Sequence, residues 1–297
     1  MPNKRVSFHV GVKVYDPQVY HEAPDLLSSA DDARQMYNLA GALGYTGFDL
    51  KPRGKWQGAD AAPPEVLIDQ AAKYADVVGL FDDAAALLQD EGDACFITFS
   101  GHGTQFKKDP PLPDPEGKFN EAVCVFDFPL VDDVIVGLLG AFKKGVDVFI
   151  VLDCCHAGAT SLHKGAILQD DKIALLPVML PKQQPPQHGT KEAAAPLDPP
   201  PPLHNELFEK FKGFDRTKIA ANVAAFEACR DNKSTFDGKN PGELSLYTAK
   251  FVNAIGDGST TVADVAAAIQ AMPDEEDCEP QFQHTQDVTF LNKPMSA

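Results

Sequence analysis

Five short apolar runs, at residues 6–14, 46–50, 94–100, 146–152 and 222–228, alternate with stretches whose apolar side chains recur at helical spacing. That alternation predicts a mostly parallel sheet covered by helices on both faces, because a chain returning through a helical crossover keeps successive strands parallel. The predicted helices cover residues 29–43, 81–88, 132–142, 243–255 and 262–272. The first begins at Ser28 and Ser29 and carries Asp31 and Asp32 in its opening turn, where acids complement the helix dipole. With 297 residues, 44% of them hydrophobic, the chain can build one large α/β domain or two modest ones.

Charge and cysteine usage narrow the function. Lys and Arg number 26 against 43 Asp and Glu, a formal net charge of -17 that disfavours a surface tracking nucleic-acid phosphates. No apolar run approaches the roughly 20 residues of a membrane span. The opening residues 1–6 hold two basic side chains with no secretory apolar stretch behind them, so a cytoplasmic location is expected. Cysteines stand at 95, 124, 154, 155, 229 and 278, without the paired spacings of a disulfide framework or a zinc ribbon, and a reducing compartment is the simpler inference.

Two segments break the α/β rhythm. Eight of the 22 residues from 181 to 202 are proline, which predicts an exposed loop. Residues 104–120, with four prolines and several acids, read as a second irregular insert.

The chemistry gathers at two strand ends. In CFITFSGHGTQ, residues 95–105, an apolar run stops at Ser100, and glycines on both sides of His102 let the backbone turn sharply and leave the imidazole uncrowded. In VFIVLDCCHAG, residues 148–158, another buried run ends in Asp153, Cys154, Cys155 and His156. Ligands bind at the carboxyl edge of open α/β sheets, so two parallel strands delivering His and Cys there supply a nucleophile and its base. A thiol is mostly protonated at neutral pH, and a neighbouring imidazole takes the proton or stabilises the thiolate. Taken singly, a buried Cys is a small hydrophobe and a strand-end His a satisfied polar group; the joint context carries the argument.

SGHGTQ at 100–105 and DCCHAG at 153–158 resemble the histidine and cysteine motifs of metacaspases and the bacterial orthocaspases of the caspase clan. Cys155 lies 53 positions after His102, which is similar to the caspase-type arrangement. Residues 29–45, SADDARQMYNLAGALGY, resemble the family's first helix; 226–235, FEACRDNKST, its small-subunit strand and loop; 279–290, EPQFQHTQDVTF, its closing strand. The resemblance implies a caspase-like three-layer sandwich in a single domain over 1–297, with a large-subunit-like part to 180, the Pro-rich loop at 181–202, and a small-subunit-like part from 203. It implies a thiol endopeptidase in which Cys155 is the nucleophile and His102 the general base, while the backbone N–H groups of Gly103 and Cys155 form the oxyanion hole. No required cofactor and a monomer are expected with it. Cys154 is expected to point away from His102, since adjacent strand residues face opposite sides, and His156 reads as turn scaffolding.

The same resemblance matches the family's S1 acids to Asp32 and Asp153, with Ser29 and Ser100 lining the pocket. The implied substrates are proteins or peptides with Arg or Lys at P1. Period-2 alternation agrees for Asp153, which precedes Cys155 by two and shares its side of the strand end. A carboxylate there attracts a guanidinium and repels an aspartate. Taken alone, Asp32 reads equally as a helix N-terminal acid. Calcium-regulated metacaspases hold the ion with aspartates, one adjacent pair of which matches Asp132 and Asp133. Gly117 and Leu162 stand at the other aligned positions, with Asp114 and Glu116 as possible substitutes, and Asp132 and Asp133 read at least as well as a helix start. Lys182 and Lys191 in the Pro-rich loop are the expected self-processing sites.

Other chemistries lack their signatures. A cysteine phosphatase needs Arg six residues after its cysteine, where Thr160 and Ser161 stand. No GxSxG elbow, Walker A loop or HExxH helix occurs. The remaining alternative is a caspase-like scaffold that binds a partner without cutting it.

Overall fold

The computed structural model describes residues 3–20, 23–46, 65–107, 119–155, 202–229, 235–256, 261–271, 280–285 and 288–296. Its main sheet contains β1 (Arg5–Gly11), β2 (Val66–Ile68), β3 (Ala94–Ser100), β7 (Asp147–Asp153), β8 (Asn222–Glu227) and β9 (Gln281–His284), in the order β2-β1-β3-β7-β8-β9. Every pairing is parallel except β8 with β9. Strands β3 and β7 are buried along their whole length, as central strands of a sheet covered on both faces must be.

Alternation splits the core in two. Ile97, Phe99, Val148, Ile150 and Leu152 pack with the helices α2 (Tyr74–Leu87), α3 (Asp132–Leu139) and α4 (Pro202–Phe211). The intervening Phe96, Phe149 and Val151 pack on the other face with α1 (Ser29–Ala42), α5 (Leu246–Gly256) and α6 (Val262–Ala271). The result is helix, sheet and helix in three layers, the α/β architecture expected of a caspase-like fold.

Several boundaries differ from the expectation. The helix predicted at 81–88 begins about two turns earlier, at Tyr74. Residues at both ends of the supposed insert 104–120 are strands: β4 (Gly103–Lys107) pairs antiparallel with β5 (Phe119–Cys124), which pairs with β6 (Pro129–Val131) in a separate small sheet. Pro202, assigned to the Pro-rich loop, opens α4, since proline's missing N–H costs nothing at a helix's first position. Of the strand expected at 46–50, Thr46 makes a parallel bridge to Val6 and the rest lies outside the described residues, as does 181–201. Strand β7 and strand β8, which flank that segment in sequence, are hydrogen-bonded neighbours. Among the described residues no helix is long and apolar enough to cross a membrane.

Candidate active site

Because β1, β3 and β7 run parallel in register, Gly11, Ser100 and Asp153 end side by side at one edge. The two turns that follow β3 and β7 touch. Gly101 N–H donates to the Asp153 carbonyl at 3.2 Å, and a β-carbon on Gly103 would fall 1.7 Å from the Cys155 carbonyl oxygen. His102 and Cys155 therefore leave adjacent strands at one place, and both are fully buried.

The imidazole is held from several directions. The backbone N–H of His102, not the ring, donates to the Tyr15 hydroxyl at 2.6 Å, and that hydroxyl donates onward to Val12 O at 3.0 Å. The Tyr15 ring lies 5.1 Å from the imidazole, and burial keeps its phenol protonated by pushing its pKa well up. His102 Nε2 lies 2.8 Å from Pro24 O. A carbonyl only accepts, so Nε2 carries the proton, and Nδ1 of the neutral ring is the basic nitrogen.

The two cysteines of the pair have different surroundings. Cys155 Sγ donates to Thr235 O at 3.8 Å. Cys154 belongs to the apolar cluster on the α2–α3 face, and Cys229 Sγ donates to its carbonyl at 3.4 Å. Burial, with Cys229 and Cys155 close by, pushes the Cys154 thiol well up, as suits an inert packing residue. No disulfide joins the five described cysteines.

Two carboxylates lie beside this pair. Asp32 is fully buried; its Oδ2 accepts from Ser100 Oγ at 2.7 Å and lies 3.0 Å from Ser28 Oγ, while Oδ1 accepts from Ser245 N at 2.8 Å. Asp153 Oδ2 accepts from Thr248 Oγ1 at 2.8 Å, from Thr248 N at 3.2 Å and from the Ser245 hydroxyl, and Thr235 Oγ1 lies 3.4 Å from Oδ1. Ser245 thus joins the two acids, its amide on one and its hydroxyl on the other. Asp153 also meets the first turn of the 11-residue α5, where unpaired amides favour negative charge. Ser29 is buried at the start of α1, with no hydrogen-bond partner for Oγ among the described residues, and Gly11 admits its carbonyl, which a β-carbon there would meet at 2.3 Å.

All four expected S1 residues and the Cys–His pair therefore gather at one sheet edge. Sequence reasoning missed Tyr15, Pro24, Thr235, Asp237, Ser245 and Thr248. Pro24 and Thr235 act through carbonyls that every residue has, so no motif marks them. Ser245, capping α5 from three residues before Thr248, is the one with a readable signal.

Asp132 and Asp133 lie elsewhere in the role of helix acids. They open α3; Asp132 Oδ1 accepts from Asp133 N at 2.8 Å, and its Oδ2 faces Arg216 Nη2 at 3.6 Å with both side chains at most 8% exposed. A calcium ion at this carboxylate would have to compete with the Arg216 guanidinium. Among the described residues no group of three potential metal ligands occurs, and Asp114, Glu116, Gly117 and Leu162 lie outside them. His156, Lys182 and Lys191 also fall outside the described residues.

Known proteins share this arrangement of chain. A crystal structure of protein GSU0716 from Geobacter sulfurreducens has the same fold, with a TM-score of 0.67 at 22% identity over 99% of both chains. Metacaspase-3 of Trypanosoma cruzi is 36% identical over 73 residues, 23% of this chain and 20% of that protein. Metacaspase-7 of Arabidopsis thaliana is 32% identical over 98 residues, 31% of this chain and 24% of that protein. The matches thus span a fifth to a quarter of these relatives' own length. The family model described as the caspase domain matches residues 8–286, nearly the whole sheet and its helices, and the chain belongs to that family.

Proposed function

We propose that the protein is a cysteine endopeptidase that hydrolyses peptide bonds after Arg or Lys. The observation that supports it best is the backbone contact of Gly103 with Cys155, which brings a histidine of fixed tautomer to the cysteine turn. In the proposed cycle His102 Nδ1 takes the Cys155 proton and the thiolate attacks the scissile carbonyl. The N–H groups of Gly103 and Cys155 receive the negative charge that develops on the carbonyl oxygen. The imidazolium then protonates the leaving amine, and water, deprotonated by the same imidazole, hydrolyses the thioester.

Asp32 and Asp153, with Ser29 and Ser100, form the proposed S1 pocket. Two buried carboxylates attract a basic P1 side chain and reject an acidic one. The test is a panel of fluorogenic peptides differing only at P1, run with the full chain and with Cys155→Ala. Cleavage after Arg and Lys that disappears in the variant supports the reading. Faster cleavage after Asp overturns the pocket, and no cleavage of any peptide favours a binding module on the same fold.

A further inference from the structure

The loop from β1 to α1 serves the site twice: Pro24 supplies the carbonyl that holds His102 Nε2–H, and the helix that follows carries Asp32. Its tether comes from far away in sequence. Asp237 accepts from Leu27 N with Oδ2, and its Oδ1 accepts from Ser28 N at 2.9 Å and lies 2.6 Å from Ser28 Oγ. Oδ1 also receives Gly238 N at 2.9 Å, and Asp237 is only 7% exposed. Two residues earlier, Thr235 O accepts from Cys155 Sγ. One short segment thus holds the thiol by a carbonyl and, through Asp237, the loop that holds the imidazole.

We propose that Asp237 is a positioning residue that sets His102 against Cys155 by fixing the 24–28 loop. The proposal rests on the cysteine-peptidase reading for its consequence, though not for its geometry. Without the carboxylate, the Leu27 and Ser28 amides lose charge-assisted acceptors in a largely buried setting, and the loop relaxes toward water. Pro24 O moves with it. The imidazolium then loses an acceptor that favours its charged form, and less thiolate persists at neutral pH. Asparagine cannot substitute, because its NH2 would face amide donors; glutamate restores the charge at a longer reach.

The experiment compares the wild-type chain with Asp237→Asn and Asp237→Glu. It follows Cys155 alkylation by iodoacetamide across pH, kcat and KM on an Arg peptide, and the melting temperature. Alkylation needs no peptide turnover, so it reads the Cys–His geometry even if the protein cleaves nothing, a result that would sink the peptidase reading alone. In Asp237→Asn, alkylation at neutral pH and kcat are expected to fall about 10- to 100-fold, as misplacement by an ångström does, with KM little changed. The pH profile of alkylation shifts, and Asp237→Glu recovers part of both losses. Should Asp237→Asn fail to fold, Ser28→Ala, which removes one donor to the carboxylate, is expected to shift the same profile by less. An unchanged alkylation profile in a folded variant overturns the proposal. A loss confined to KM for basic peptides overturns it in favour of direct contact between Asp237 and substrate.

Discussion

Gly103 and Cys155 meet backbone to backbone, at a distance that leaves no room for a β-carbon between them. The atom a side chain would strike is a carbonyl oxygen at 1.7 Å, which cannot swing aside as a flexible side chain would. Gly103→Ala is therefore expected to push the two turns apart. It costs about 1–3 kcal/mol of stability by overpacking and lowers kcat by about 100-fold or more through misplacement of the proposed oxyanion donors. Thermal melts and peptide kinetics on the same preparation check both; an alanine variant with wild-type kcat would show that the contact has no part in turnover.

The proposed nucleophile is distinguished from its neighbour by environment. Cys155→Ala and His102→Ala are each expected to abolish turnover while leaving the fold intact, whereas Cys154→Ala removes one sulfur from an apolar cluster and leaves activity. Inactivation by Cys154→Ala with Cys155→Ala harmless would reverse the assignment.

Much of this site was legible because its chemistry is carried by side chains at strand ends. His102, Cys155 and Asp153 follow apolar runs that stop abruptly, and period-2 alternation already separated Cys154 from Cys155. What the sequence concealed is contributed by main-chain atoms or by long-range partners. The acceptor for His102 is a carbonyl 78 residues upstream, and the tether of that loop is an aspartate 209 positions beyond Ser28. The same limit applies to the fold. Helix α4 was hidden by a proline that ends the Pro-rich run yet begins the helix. The antiparallel β4–β5 pair was hidden because its partners flank a polar segment.

The charge on Asp153 is expected to govern selectivity. Asp153→Asn keeps the size of the side chain and removes one anion from the proposed S1 pocket. Loss of one partner of a desolvated charge pair costs on the order of 2–5 kcal/mol, so cleavage after Arg falls by about 30-fold to several thousand-fold in kcat/KM. The Ser245 and Thr248 contacts make this residue a helix-end acceptor too, so the melting temperature is recorded alongside. Equal losses for basic and neutral P1 residues would assign Asp153 to structure rather than specificity.

His9 gives the fold an acid sensitivity of its own. It is fully buried in β1, with Nδ1 2.9 Å from Thr98 Oγ1 and no hydrogen-bond partner for Nε2 among the described residues. Burial lowers its pKa from 6.5 to about 3. The folded state thus prefers the neutral ring: the stabilisation is full above pH 6.5 and is lost as pH falls from there toward 3, at up to about 1.4 kcal/mol per pH unit. His204, lowered to about 4 by burial among Tyr74, Phe128 and Phe208, acts with the same sign. Replacing His9 with Asn is expected to flatten the decline of melting temperature between pH 6.5 and 3. Parallel declines in wild type and variant would refute the assignment.

Calcium is expected to do little. Asp132 is engaged by Arg216 inside the protein, so binding of the ion at Asp132 and Asp133 would have to displace that guanidinium. Turnover in chelator is expected to equal, or nearly equal, that in low-millimolar calcium. A steep recovery of activity on adding calcium back would reveal a site completed by other oxygens, with Asp114 and Glu116 the first to replace.

Self-processing after Lys182 or Lys191 is the remaining expectation. Proteolysis favours exposed, extended backbone, and a high proline content in the sequence disfavours the helices and strands that would resist entry to a cleft. Either lysine would present a basic side chain to Asp32 and Asp153. Gln183 and Glu192 follow them, so no proline ring blocks the scissile bond. Strands β7 and β8, on the two sides of the segment, are neighbours in one buried sheet, and Ala228 N–H donates to Leu152 O at 2.9 Å just beyond their ladder. Cleavage is therefore expected to leave two fragments that travel together in gel filtration and separate only in denaturant. Incubation followed by N-terminal sequencing decides the matter: new termini at Gln183 or Glu192, absent from Cys155→Ala, support cleavage by the protein itself. A chain that stays intact while cleaving Arg peptides at full rate would make the segment a passive connection, its lysines ordinary solvated charges.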